Sequence, residues 1–250
     1  MISLSARLDR WQRAQMYERG FWETTAQEIA RGSRSQLDWY RWRADQLASR
    51  LRALGLSRLL DGSARVLEVG SGPVGVISFF PARERIAVEP LEAFYTSSPV
   101  LTGLRDPRVE YRTGGGERLP CESDRYDLAI IENCIDHVQD VGAVMRELRR
   151  VLVPAGVLYL TVNCRTRWGF LVHRALSRLR VDAGHPHTFT PRRAQALIGR
   201  SGFAIRSLEV GSYTEALWAD LRSPETRSRI KGLLGVSEFL ASAIALRTCA

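Results

Sequence analysis

The sequence predicts an α/β fold: a doubly wound, mostly parallel sheet. Three observations carry that expectation. A β-branched apolar run at Ala64–Val69 ends abruptly at Gly70, Gly72 and Gly75, the pattern of a buried strand entering a turn too tight for side chains, with helix-compatible sequence after it. Short apolar runs then alternate with helix-patterned segments, the βαβα order of a parallel sheet. Finally, Tyr126–Ile131 is predominantly apolar, as suits a strand covered on both faces.

The elements follow in order. From Met1 to Leu60 the pattern is helical and amphipathic, with Ala14, Met16, Tyr17, Phe21 and Trp22 apolar and a second helix over Gln36–Leu54. Trp39, Tyr40 and Trp42 add aromatic bulk. Residues 1–60 are thus expected to form an N-terminal helical cap, its rings packing onto the domain, serving as a lid that excludes water, or both. Residues 61–250 form the main domain, with no linker or repeat to divide it. Arg85–Val88 is the second strand, Val109–Arg112 the third and Tyr126–Ile131 the fourth. Val141–Leu152 reads as a helix with Val144, Leu148, Val151 and Leu152 on one face, stopped by Pro154-Ala155-Gly156. Val157–Val162 is the fifth strand. A basic, apolar insert, Arg165–Asp182, follows. Pro191–Ser201 is a helix closed at Gly202, Phe203–Val210 is the sixth strand, Glu215–Leu234 is helical in parts, and Glu238–Arg247 completes a seven-stranded sheet.

Composition narrows the function classes. Cys121, Cys134, Cys164 and Cys249 lie far apart with no C-x-x-C pair, which argues against a zinc site or a disulfide framework and for reduced thiols in the cytoplasm. No apolar run is long enough for a membrane span, and the N-terminus lacks a signal-peptide core. The net charge of +9 comes from arginine, Lys231 being the only lysine. That skew points to a GC-rich genome more than to a nucleic-acid surface.

The glycine turn satisfies G-x-G-x-x-G, a pattern shared by several nucleotide-like binders. Pro73 removes an N–H where a pyrophosphate would seek donors, and Glu68 sets a carboxylate near the strand end. Both features disfavour a diphosphate and suit a cationic ligand.

From Val66 to about Thr248 the chain resembles the class I S-adenosylmethionine-dependent methyltransferases, whose fold is Rossmann-like. The resemblance rests on ordered motifs: Leu67-Glu68-Val69-Gly70-Ser71-Gly72, Ala87-Val88-Glu89-Pro90, Gly116-Glu117-Arg118-Leu119-Pro120, Tyr126-Asp127-Leu128-Ala129, Ile135-Asp136-His137-Val138 and the run from Leu148 to Gly156. It implies S-adenosyl-L-methionine as cofactor, bound by Glu68, Gly70, Ser71, Gly72, Glu89, Pro90, Gly116, Glu117 and Asn133. Glu89, 19 residues after Gly70, stands where a carboxylate accepts from both ribose hydroxyls. Glu68 either meets the methionine end or holds the loop through its amides. Gly116 and Glu117 face the adenine. Gly115 stands where the family often has an acidic residue, so the adenine amino contact must come from elsewhere. Asn133 either contacts the methionine moiety or simply ends its strand.

If the acceptor is a hydroxyl, a histidine is the fitting base. His137, after the fourth strand, is one candidate; His185 and His187, held extended by Pro186, are the others, and without a third ligand they are not read as a metal pair. His173 is expected at the surface. The insert, with Arg165, Arg167, Arg174, Arg178 and Arg180, is either a solvated helix face or a lid favouring an anionic acceptor, such as a carboxylate or a nucleotide- or lipid-linked saccharide. Glu132-Asn133-Cys134-Ile135 lacks the motifs of base-amino and cytosine-C5 enzymes, so nucleic-acid acceptors lose ground. The expectation is O-methylation of a small molecule in a biosynthetic or tailoring step. The rivals are an RNA or protein methyltransferase, a non-catalytic nucleoside-binding module and a nicotinamide-dependent oxidoreductase.

Overall fold

A computed structural model describes residues 4–33, 35, 37–178 and 186–248. Helices α1 (Leu4–Ala30) and α2 (Leu37–Ala53) precede β1 (Arg65–Val69) and β2 (Glu84–Glu89). Short helices α3 (Glu92–Thr96) and α4 (Pro99–Thr102) lead to β3 (Glu110–Thr113) and β4 (Tyr126–Glu132). Then come α5 (Val141–Val151), β5 (Leu152–Cys164), α6 (Arg167–Arg178), α7 (Pro191–Arg200) and β6 (Phe203–Val210). The chain closes with α8 (Tyr213–Arg222), α9 (Thr226–Leu233) and β7 (Phe239–Arg247).

The seven strands form one sheet in the order β3-β2-β1-β4-β5-β7-β6, and β7 alone runs opposite to the other six. The expected doubly wound, mostly parallel, seven-stranded architecture is therefore present. Winding reverses between β1 and β4, and ligands of such sheets sit in the crevice at that reversal, beyond the carboxyl ends of the strands.

Successive strand residues face opposite sides, and the core divides accordingly. Leu67, Val69, Ala129 and Ile131 pack with Val144, Leu148 and Val151 of α5 and Ile198 of α7. Val66, Leu128 and Ile130 face the other way, onto Leu47 and Leu51 of α2. The α5 stripe recurs at helical spacing, and the Asp140 carboxylate caps its start, accepting from Gly142 N at 2.8 Å and Ala143 N at 3.1 Å.

Two expectations are corrected here. The helix expected after the glycine turn is only a 3-10 turn, Val76–Phe79. Too little chain separates it from β2 for a helix and its return, and Pro81 interrupts what remains. The N-terminal α2 lies over this turn and supplies the missing layer, with the Arg41 guanidinium 4.8 Å from the Phe79 ring. Helix α2, expected as part of a cap, thus also forms core. The fifth strand is likewise longer than expected. Pro154–Gly156 sits within it as an irregularity between the pairs Tyr126↔Leu152 and Leu128↔Val157, with Ala155 at φ 58°.

Leu51 is wholly buried between α2 and the sheet. Leu51→Ala is expected to lower the unfolding free energy by about 2–5 kcal/mol, measured by urea denaturation. A loss below about 1 kcal/mol would show that α2 is a dispensable cap rather than a structural layer.

Candidate active site

Between the last residue of β1 and the 3-10 turn, Gly70, Gly72 and Gly75 take φ of 72°, 60° and 83°, a region that strains side-chain-bearing residues. Close approach adds a second reason. A Cβ on Gly70 would lie 2.2 Å from Cys134 Sγ, and one on Gly75 would lie 2.6 Å from Glu68 Oε2. Glu68 turns back into the loop it precedes. Its carboxylate accepts from Val76 N at 3.1 Å and Ile77 N at 2.8 Å, taking up donors that a short 3-10 turn leaves open. Burial pushes its pKa up to about 8, against those two hydrogen bonds.

Glu89, the last residue of β2, reaches across the same turn. Its carboxylate accepts from Gly72 N at 3.0 Å and Leu91 N at 3.1 Å, and burial raises its pKa to about 7. Each oxygen keeps a further lone pair. Above this turn lie the N-terminal helices: Tyr40 Oη is 3.3 Å and Trp22 Cζ2 3.6 Å from where a Gly72 Cβ would stand. The Trp22 indole donates to Glu18 at 2.7 Å.

The end of β4 supplies the facing wall. Glu132 pairs with Arg43 of α2 at 2.8 Å, both side chains nearly buried, and the guanidinium stacks 4.2 Å from the Trp39 ring. Asn133 turns into the left-handed region at φ 51°, and its N–H donates to Thr161 O and Oγ1. Its buried Oδ1 has no hydrogen-bond partner among the described residues. His137 follows a tight turn, its N–H donating to Cys134 O, with Asp136 Oδ1 3.9 Å from Nε2. Glu117 accepts from Gln139 N at 2.7 Å and so ties the loop before β4 to the loop after it.

These groups enclose one cavity of about 220 Å³. All nine expected cofactor residues border it: Glu68, Gly70, Ser71, Gly72, Glu89, Pro90, Gly116, Glu117 and Asn133. His137 borders it too. His187 does not; its ring nitrogen lies 2.9 Å from Val138 O and its N–H donates to Asp136 O, so it supports the His137 turn from outside. His185 lies outside the described residues. His173, expected at the surface, is buried at 6% exposure against Thr188, because α6 turns that side inward. Arg165 is likewise withdrawn from the expected charged lid, bound to Glu238 at 2.7 Å and Val236 O at 2.8 Å.

Sequence reasoning missed Gln15, Glu18, Arg43 and Glu132 as cavity residues. No motif marks them; only the folding of α1 and α2 over the sheet edge brings three of them there. The lining charges decide what fits. Among the described residues, Glu18, Glu68, Glu89, Glu117 and Glu132 line it with a single arginine, Arg43, in a protein of net charge +9. A diphosphate would be repelled, whereas a sulfonium bearing an ammonium meets acceptors, the orphaned Asn133 Oδ1 among them. The residues present fit S-adenosylmethionine.

Comparison with known proteins agrees. Residues 39–208 match the methyltransferase domain family, and the chain belongs to it. Its domain is that of a class I S-adenosylmethionine-dependent methyltransferase, an enzyme domain whose cofactor is S-adenosyl-L-methionine. Among curated relatives, a ubiquinone biosynthesis O-methyltransferase of Azorhizobium caulinodans is 27% identical over 153 residues, 58% of this chain. The match spans only 60% of that relative's length. Among solved structures, a candidate sarcosine dimethylglycine methyltransferase from Galdieria sulphuraria aligns with TM-score 0.60 and 17% identity, covering 82% of this chain and 85% of that one. Geranyl diphosphate C-methyltransferase from Streptomyces coelicolor aligns with TM-score 0.56 and 13% identity, covering 80% and 81%. At such identities the two structures speak for the fold alone.

The raised carboxylates have a pH signature. Glu68 and Glu89 hold protons in the folded state up to about 8 and about 7, whereas the unfolded chain releases them near 4.5. Between those limits the folded state binds more protons, so ligand-free stability is expected to fall as pH rises from about 4.5 to about 8. Denaturation midpoints across that range measure it, and Glu89→Gln should flatten the slope below about pH 7. A slope that rises instead would show both groups ionised in the native protein.

Proposed function

We propose that this protein transfers the methyl group of S-adenosylmethionine to a hydroxyl oxygen of a small molecule, of the natural-product or saccharide kind, in a biosynthetic or tailoring pathway. The observation that carries the reading is His137, the one histidine on the cavity among the described residues, with Asp136 beside it.

When bound, S-adenosylmethionine supplies an electrophilic methyl group on a positively charged sulfur. In this reading Glu89 accepts from the ribose hydroxyls, Asn133 Oδ1 and the main chain near Gly70 meet the methionine end, and Gly116 and Glu117 border the adenine. Displacement at a methyl carbon asks the protein mainly for alignment and exclusion of water. Trp22 and Tyr40, packed over Gly72, serve that exclusion and make residues 1–60 a lid as well as a layer. His137 takes the proton of the acceptor hydroxyl at its imidazole, with the Asp136 carboxylate 3.9 Å from Nε2. His187 acts as a positioning residue, through the Asp136 and Val138 carbonyls.

The cavity's carboxylates favour an uncharged acceptor over the anionic one considered from sequence. Of the arginines first offered for an anion, Arg165 is paired internally and Arg167 and Arg174 are exposed, while Arg180 and the side chain of Arg178 lie outside the described residues.

The direct test is incubation with methyl-labelled S-adenosylmethionine and extract from the source organism, followed by identification of the labelled product. A labelled ether in a small molecule is expected; label confined to RNA or protein would overturn the proposal. His137→Ala is expected to lower turnover about 10²–10⁴-fold with S-adenosylhomocysteine affinity unchanged, by steady-state kinetics and calorimetry. Loss of affinity with turnover retained would instead make His137 part of the cofactor shell.

A further inference from the structure

The second half of the chain leaves an unusual surface. Trp168 and Leu171 of α6 are each 60% exposed; Ile230, Leu233 and Leu234, in and just after α9, are 51%, 76% and 53% exposed. They belong together. Trp168 Nε1 donates to Leu234 O at 3.0 Å, and the Trp168 ring lies 3.9 Å from where a Gly235 Cβ would be. Trp168 and Leu171 are three residues apart on one helix face, as are Ile230 and Leu233. Large apolar side chains this open, grouped on two helices that meet at Trp168 and Leu234, are rare on a protein that meets only water.

Charge says what the group meets. Neither α6 nor α9 contains an acidic residue. The Lys231 ammonium is answered by Asp220 and Glu238, and Arg165 by Glu238. Arg167 and Arg174 of α6 and Arg227 and Arg229 of α9 are exposed on the same two helices, with no ion partner among the described residues. Apolar side chains with an indole among them, ringed by guanidinium groups, make up the composition of an interfacial membrane contact, in which side chains enter the acyl boundary and cations meet lipid phosphates.

Topology places the surface usefully. Phe239, which opens β7 just after α9, pairs with Cys164, which ends β5 just before α6. The patch therefore stands at the same edge of the sheet as Gly70 and Asn133, on the side where the cavity lies.

We propose that the α6–α9 face docks this protein onto an anionic phospholipid bilayer. The inference rests on the surface alone and survives or fails independently of the acceptor proposed above.

Flotation with phosphatidylcholine vesicles, with and without equimolar phosphatidylglycerol, tests it. The wild-type chain is expected to float with the anionic vesicles, less so as salt rises, and to remain behind with phosphatidylcholine alone. Leu233→Asp and Arg229→Glu should each weaken the anionic partitioning by about tenfold. Both sites are exposed, so unchanged thermal melting should accompany the loss. Arg58→Glu, the same charge change at an exposed residue before β1 and so at the opposite sheet edge, should have little effect. Equal loss in Arg58→Glu would reduce the effect to the overall charge and overturn the proposal. So would absence of flotation, or a concentration-dependent dimer abolished by Leu233→Asp, which would make a second copy the occupant.

Discussion

The Glu68 carboxylate, folded back onto the amides of Val76 and Ile77, is the interaction on which the site depends. It stands where a helix N-terminus would otherwise offer N–H groups to a ligand. By taking those donors inside the protein, it removes the usual phosphate cradle from a turn whose glycine spacing resembles one. A single side chain thus sets the loop's shape and takes up the donors a phosphate would seek, and Gly75 is required because any Cβ there would strike it.

Around this clasp the cavity is built by a recurring device. Glu68, Glu89 and Glu117 each accept from main-chain amides, Glu18 from an indole and Glu132 from a guanidinium. Glu68, Glu89, Glu117 and Glu132 each join two segments, Glu18 braces α1 within itself, and all five border the cavity. The cavity is consequently rich in acidic side chains inside a strongly basic protein. Long-range field and local recognition are separate quantities here: the exposed arginines govern what the surface meets, and the glutamates govern what enters.

The N-terminal helices serve both purposes at once. Because the crossover between β1 and β2 is too short for its own helix, α2 fills that layer, and its first turns reach the cavity. Tyr40 and Arg43 approach the glycine turn and Glu132, while Leu47 and Leu51 lie in the core.

Most of the sheet was legible in the sequence, because buried strands and amphipathic helices carry periods of two and 3.6 that local residues alone impose. The expected sixth strand has the observed bounds, and the carboxylate after β2 and the glycines after β1 occupy the cavity their spacing pointed to. Those features are local: a turn needing positive φ selects glycine wherever it occurs. Whether Glu68 would face ligand or loop, whether Pro154 would stop a helix or interrupt a strand, and where His173 and His187 would lie were not local questions. Their answers turn on which distant segment arrives alongside. Arg43 meets Glu132 across 89 positions of chain, and no periodicity records a contact at that range. Local pattern determined the elements and the glycine turn; tertiary packing decided the layer that α2 adds, the glutamates that line the cavity and the histidine that faces it, because those belong to pairs of residues rather than to any one stretch.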